Sequence, residues 1–274
     1  MRLEKNYNFK INLLIELMKI DLTLAVALSI FISIPSPALS QDVELISPKF
    51  TLPTLTPPVL SETEQKGFED NGSGGTQKGA GSREGGPKKL EGKVLTALVP
   101  EMTIGEKQIP LVLGLTSKAE TNLYFYLPYE SQPSRKVKFV LLNDDEEEIY
   151  EETFQFTEIP GIVTVRLPEV LEVGQKYNWL FIFKYNPRNP SADEFVEGWI
   201  KRVELNPELV TELKNATLPE QFLLYANNGL WFDALNIISE LRRLNPEDEA
   251  LKADWTEFLQ SVDLEDIAPE SIVE

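Results

Sequence analysis

Lys176-Tyr-Asn-Trp-Leu-Phe-Ile-Phe-Lys-Tyr185 places Tyr177, Trp179, Phe181, Phe183 and Tyr185 at every second position. Successive side chains of a strand point to opposite faces, so these five rings form one inward-facing stripe. A stripe this bulky needs a second apolar layer to cover it. The stretches on either side supply that layer. Asn122-Leu-Tyr-Phe-Tyr-Leu127 puts Leu123, Phe125 and Leu127 on one face, and Lys136-Val-Lys-Phe-Val-Leu-Leu142 does the same with Val137, Phe139 and Leu141. The acidic turn Asn143-Asp-Asp-Glu-Glu-Glu148 joins the latter to Ile149–Phe156 as a hairpin. Ile162–Leu167 follows Pro160-Gly161, and Phe195–Leu205 is the last strand. With Lys93–Leu98 and a strand near Leu111, seven or eight strands fall within about 110 residues. Turn signals every 8–12 residues predict an antiparallel β-sandwich of immunoglobulin- or fibronectin-like type over residues 93–205.

After Leu205 the apolar period becomes helical. Asn206 can cap a helix with Pro207 at its first position, running to Asn215. Thr217-x-x-Glu220 is a capping box for a second helix ending near Asn227-Asn-Gly229. Leu230–Leu244 follows, with Ala234, Ile237, Ile238 and Leu241 on one face. Asn245-Pro246 reads as the cap of a fourth helix with the stripe Leu251, Trp255, Phe258 and Val262. The middle pair resembles one tetratricopeptide repeat, on Tyr225, Gly229, Trp231, Ala234, Ile238 and Pro246. Phe222 stands where that pattern has an earlier Gly, and solenoids usually need about three repeats. The pair is therefore expected to pack on the sandwich or on flanking helices. The fold class is β plus α: a sandwich, then a helical module over 206–267, then a tail over 268–274.

The beginning of the chain reads as a targeting segment. Arg2, Lys5, Lys10 and Lys19 precede a 13-residue apolar run, Leu22–Ile34, and Ala38-Leu-Ser40 forms a small-residue cleavage box. That run is short of the roughly 20 residues that cross a bilayer. Residues 1–40 are read as a signal peptide. An uncleaved anchor is the competing reading, because the charged segment is long and holds Glu4 and Glu16. A start at Met18 would make that segment ordinary. The expected location is the periplasm, the cell envelope or the medium. Residues 41–92, rich in Pro, Thr and Leu and then in Gly, Ser, Glu and Lys, read as a disordered tether.

Composition excludes a great deal of chemistry. The formal charge is −18, and residues 1–40 carry four basic and three acidic side chains, so the remainder stands at −19. Nucleic acid and anionic lipid are disfavoured as partners. There is no Cys and no His, hence no disulfide, thiolate metal site, imidazole-bound zinc or His-based triad. The acidic turn at 143–148 invites a calcium reading, since hard cations take clustered carboxylates. It lacks the EF-hand spacing, and a solvated hairpin turn is preferred. Paired carboxylates for glycoside hydrolysis are uninformative in a chain with 44 acids. Trp179, Trp199, Trp231 and Trp255 sit at or beside periodic apolar positions, where core packing is the default. Trp199 is the candidate for exposure, because its strand face also carries Glu197 and Lys201. Asn186–Asp193 is a long hairpin loop of the kind that often carries function. The segment from Glu204 onward holds 16 acids and four basic residues and reads as a solvated helix surface. The sequence assigns no catalytic, cofactor-binding or metal-ligating residue.

Several blocks in order, Leu95-Thr-Ala-Leu-Val-Pro100, Phe125-Tyr-Leu-Pro-Tyr129, Pro160-Gly-Ile162, Phe195-Val-Glu-Gly-Trp-Ile200 and Trp231-Phe-Asp-Ala-Leu235, resemble a family of secreted cyanobacterial proteins defined as a domain of unknown function. Arg83-Glu-Gly-Gly86 resembles it too. Many members carry Cys near the start of the domain and near position 185. This chain has Tyr185 there, so a bridge between them, where relatives form it, has no counterpart here. The resemblance implies a cyanobacterial exported protein and transfers no catalytic residue. The leading expectation is an exported, non-catalytic binding module that meets a protein partner through its helices and uses no cofactor. The alternatives are a carbohydrate-binding accessory module and a carboxylate-dependent hydrolase.

Overall fold

The ring stripe of residues 177–183 does face inward. Along β8 (Lys176–Lys184) buried and half-buried positions alternate without a break, and Tyr177, Trp179, Phe181 and Phe183 are the buried ones. A computed structural model describes Pro58 and residues 60–70, 74–79, 89–90, 92–130, 136–156, 158–185 and 190–273. The signal-peptide and anchor readings of residues 1–40 lie outside the described residues, as do 80–88 and 186–189.

Among the described residues nine strands form two sheets. β1 (Thr96–Ala97), β4 (Thr121–Leu127) and β7 (Gly161–Leu167) make a three-stranded sheet in the order β1-β4-β7. The six-stranded sheet runs β2-β3-β9-β8-β5-β6, with β2 (Glu101–Ile104), β3 (Ile109–Thr116), β5 (Lys136–Leu142), β6 (Glu148–Phe154) and β9 (Glu194–Arg202) joining β8. Phe125 on β4 joins the two layers. Its ring stacks on Phe181 at 3.9 Å and meets Trp179 edge-on at 5.5 Å. The strand expected near Leu111 is a full hairpin partner, β3, paired with β2. Contrary to the all-antiparallel expectation, β3 pairs parallel with β9, Leu113 opposite Trp199. The hairpin that inserts β2 sends β3 back along the direction of the last strand. At the far edge β6 alternates Glu148, Glu151 and Glu152 along an exposed strand, which blunts edge-to-edge pairing.

Five helices occur among the described residues: α1 (Glu62–Asp70), α2 (Pro207–Asn215), α3 (Leu218–Asn227), α4 (Trp231–Leu244) and α5 (Glu249–Gln260). Asn206 caps α2, its side chain accepting the Leu209 N–H. The Glu220 carboxylate accepts the Thr217 N–H at the start of α3. α5 starts later than its sequence suggested. Asp248, not Asn245, is its cap, accepting from the N–H groups of Ala250 and Leu251.

Two departures from the sequence reading concern residues 41–92 and Trp199. Within the stretch read as a tether, residues 62–70 form α1 and residues 74–79 run along the sheet. Thr76 exchanges backbone hydrogen bonds with Glu197, and Gly79 N–H donates to Leu95 O at 2.7 Å. A Cβ at Gly74 would lie 1.5 Å from Pro110 O, so only glycine fits there. The glycines that suggested a loose chain are what admit it to the sheet surface. Trp199, the candidate for exposure, is 5% exposed. Phe68 of α1 meets it edge-on at 5.3 Å over a small cluster with Ile104, Leu111 and Leu113. Burying Phe68 contributes about 1.5–3 kcal/mol, enough to hold a nine-residue helix that would not persist alone.

α4 docks on the side of the two layers where β3 and β4 lie. The Trp231 indole N–H donates to Leu98 O at 2.8 Å, and its ring stacks on Phe258 of α5 at 4.4 Å. Ser117 donates its N–H and its hydroxyl to the two oxygens of buried Asp233, each at 2.8 Å. Sheet and helix residues therefore share one continuous apolar core. The described part of the tail, residues 268–273, is fastened as well. Ile162 N–H donates to Ser271 O and Val273 N–H to Ile162 O, both at 2.8 Å, which adds residues 271–273 to the edge of β7.

Candidate functional site

One polar groove is built where the C-terminal turn of α4 passes the three-stranded sheet. Asn236 sets its position. The amide Nδ2 donates to the Thr121 hydroxyl and Oδ1 accepts from the Tyr124 hydroxyl, each at 3.0 Å, so α4 is pinned to β4 on the groove wall itself. The next turn brings Ser239, Glu240, Arg242 and Arg243 along the helix. Asn122 and Thr164 line the sheet side, the fastened residues 271–273 another wall, and Lys252 of α5 the rim. The cavity is about 590 Å³, within the 300–1,000 Å³ common for ligand sites.

Charge distinguishes this groove from the rest of the C-terminal segment. Three of the four basic residues after Glu204 line it. Arg243 pairs with Glu240 through two hydrogen bonds of 2.6 and 2.8 Å, and Lys252 pairs with Glu249 at 2.8 Å. Among the described residues Arg242 has no such acid. Its guanidinium lies 4.6 Å over the Trp255 ring, and its Nη1 is buried with no hydrogen-bond partner. Burial pulls its pKa down, yet an arginine stays charged at neutral pH. Cations at a helix C-terminus are ordinary, since they oppose the partial negative charge there. An unpartnered guanidinium nitrogen facing away from water is not, because burying an unpaired polar group of this kind costs free energy. Tyr124 also lines the groove, with its hydroxyl pKa raised by burial.

The sequence-derived candidates distribute differently. All four tryptophans are buried, and Phe195 is the one large aromatic exposed among the described residues. A row of exposed rings for stacking sugars is therefore missing from the described surface. The apolar faces of α2–α5 pack largely into the core, leaving Leu218 and Leu244 as their exposed large apolar side chains among the described residues. The acidic turn is a hairpin in which Asn143 Oδ1 accepts from the N–H groups of Asp145 and Glu147. Among the described residues no cluster of His, Cys, Asp or Glu could hold a metal ion. In the described part of the 186–193 loop, Asp193 accepts from Lys184 and from the Tyr185 N–H. The groove lining includes one carboxylate residue, Glu240, already paired with Arg243. A smaller apolar slot of about 100 Å³ lies between Met102, Leu113, Trp231 and Phe258, with Glu101 and Asp263 also on its lining.

The groove was invisible in the sequence. Arg242-Arg243 and Lys252 are ten positions apart in a strongly acidic segment, and nothing local says that the turn at 245–248 folds them together. Their scarcity was the available signal.

A family model described as Domain of Unknown Function (DUF928) matches residues 78–272, more than two thirds of the chain. The chain belongs to this family. The match begins at Lys78, in the segment bridged to β1 and β9, and ends at Ile272, in the segment bridged to β7. The DUF928 region thus contains every groove residue except Val273. No curated protein matches the chain.

Proposed function

We propose that this DUF928 protein is an exported, non-catalytic binding protein that holds an anionic ligand in the groove between α4, α5 and the three-stranded sheet. The convergence of Arg242, Arg243 and Lys252 on one groove carries the reading, because clustered cationic donors bind anions through charge-assisted hydrogen bonds. The export part rests on the signal-peptide pattern of residues 1–40. The scaffold is read as an immunoglobulin-type sandwich, which fits the strand order and the Tyr177 hydroxyl accepting the Glu172 N–H at 2.9 Å, like a tyrosine corner. The α3–α4 pair is read as a single tetratricopeptide-like hairpin, with Gly229 at φ +68° in its turn. Such a pair cannot stand alone, which fits its docking on β3 and β4.

The test is capture of material from an envelope extract by the tagged full chain and by an Arg242→Gln, Arg243→Gln, Lys252→Gln variant. Material held by the wild type and lost from the variant supports the groove. Equal capture by both refutes it. Mass analysis of the exported protein should place its first residue at Gln41; a chain still beginning at Met1 refutes cleavage.

A further inference from the structure

We propose that the groove takes an acidic oligosaccharide, a short chain of sugars bearing carboxylates; this rests on the binding reading above. Two features of the groove point the same way. The cations Arg242, Arg243 and Lys252 match carboxylates, and Arg can offer one a planar pair of donors. Between them the wall carries small neutral groups, Asn122, Thr164 and Asn245, that both donate and accept as sugar hydroxyls do.

The surrounding field narrows the class further. A chain with net charge −18 repels densely charged polyanions, so nucleic acid is held off before it reaches a patch of three cations. A short acidic sugar chain brings few charges in all, spaced by neutral hydroxyls, so it meets less repulsion than a long polyanion and fits a groove in which charge is local. An acidic peptide would bring the same carboxylates with a backbone and apolar side chains. The apolar lining available to it is confined to Pro246, Ile272 and Val273. The exposed-ring mode of sugar binding is not needed, since recognition here comes from charge and hydrogen bonds.

The experiment is calorimetric titration of the full chain with three probes: trigalacturonate, the neutral galactose trimer, and triglutamate. Trigalacturonate is expected to bind at least tenfold more tightly than either other probe, and to weaken as salt rises from 50 to 300 mM. Arg242→Gln should reduce its affinity tenfold or more. Because Arg242 also packs on buried Trp255, the double variant Arg243→Gln, Lys252→Gln, whose side chains reach solvent, provides the second reading and should lose affinity with unchanged unfolding temperature. Equal binding of the neutral trimer, tighter binding of triglutamate, or no uronate binding overturns the sugar assignment. If envelope capture still depends on the three cations in that case, the binding groove stands with another ligand. If capture is also indifferent to them, both readings fall.

Discussion

A single methyl group at Gly114 tests whether the helical module is bound to the sheet as described. Gly114 lies in β3, where its φ is outside the left-handed region, so alanine there meets no backbone strain. On propensity, replacing a strand glycine by alanine should stabilise by about 0.5–1 kcal/mol. The docked α4 reverses the sign. An added Cβ would lie 2.4 Å from Phe232 Cε2, 2.8 Å from Cζ and 2.9 Å from Cδ2. Carbon atoms prefer about 3.5–4.0 Å, so the ring must move by more than half an ångström inside a fully buried site. Such overpacking costs about 1–3 kcal/mol, more than the propensity gain. Gly114→Ala is therefore expected to destabilise by about 1–2 kcal/mol, seen as a lower urea midpoint with unchanged slope. Phe232→Leu trims the clashing edge and costs about 1–3 kcal/mol by itself through the cavity it leaves. The double variant should be less damaged than the sum, with a coupling of about 1–2 kcal/mol. A stabilised Gly114→Ala, or strictly additive variants, would refute the docking of α4 on β3.

Three further outcomes follow from other contacts. Burial raises the Asp233 pKa above its ordinary 3.8, so the folded state binds that proton more tightly and stability from this group falls as pH rises through the raised value. Asp233→Asn should remove that component from a comparison of wild-type and variant stability against pH; parallel curves would exclude it. The Lys201 ammonium and the Ser61 cap hold Glu64 at about 2, so its support of α1 is complete above 4.5 and is lost as pH falls through about 2. Hydrogen exchange at residues 62–70 should accelerate across that window, and Glu64→Gln should accelerate it already at pH 7; protection that is flat in both refutes the anchor. Deleting residues 271–274 removes two backbone hydrogen bonds at the β7 edge and should cost about 1–3 kcal/mol in urea unfolding. It also removes a wall of the groove, so uronate affinity should drop in the same variant. An unchanged affinity would place the ligand elsewhere.

Much of the scaffold was legible because its determinants are local. Alternation from Tyr177 to Phe183 specifies a strand and its buried face whatever lies opposite. Asn206-Pro207 and Thr217-x-x-Glu220 mark helix starts through bonds that span three residues. The parallel β3–β9 pairing and the Thr76–Glu197 pairing were not legible, because each joins residues more than 80 positions apart. Composition misled at Gly74, where glycine signals close approach as readily as flexibility. Trp199 misled similarly, since the helix that covers it lies in a segment with little apolar content of its own.

The sequence by itself determined the excluded chemistry, most of the strands, the four helices after Leu205, and the identity of the inward rings. These follow from residue type and short-range period, which act through the chain's own neighbours. Only the tertiary structure decided the groove. Arg242, Arg243 and Lys252 converge because Asn236 pins α4 to β4 and because the turn at 245–248 folds α5 back beside it. The unpartnered nitrogen of Arg242 exists only in that arrangement, since an extended chain would leave it to water.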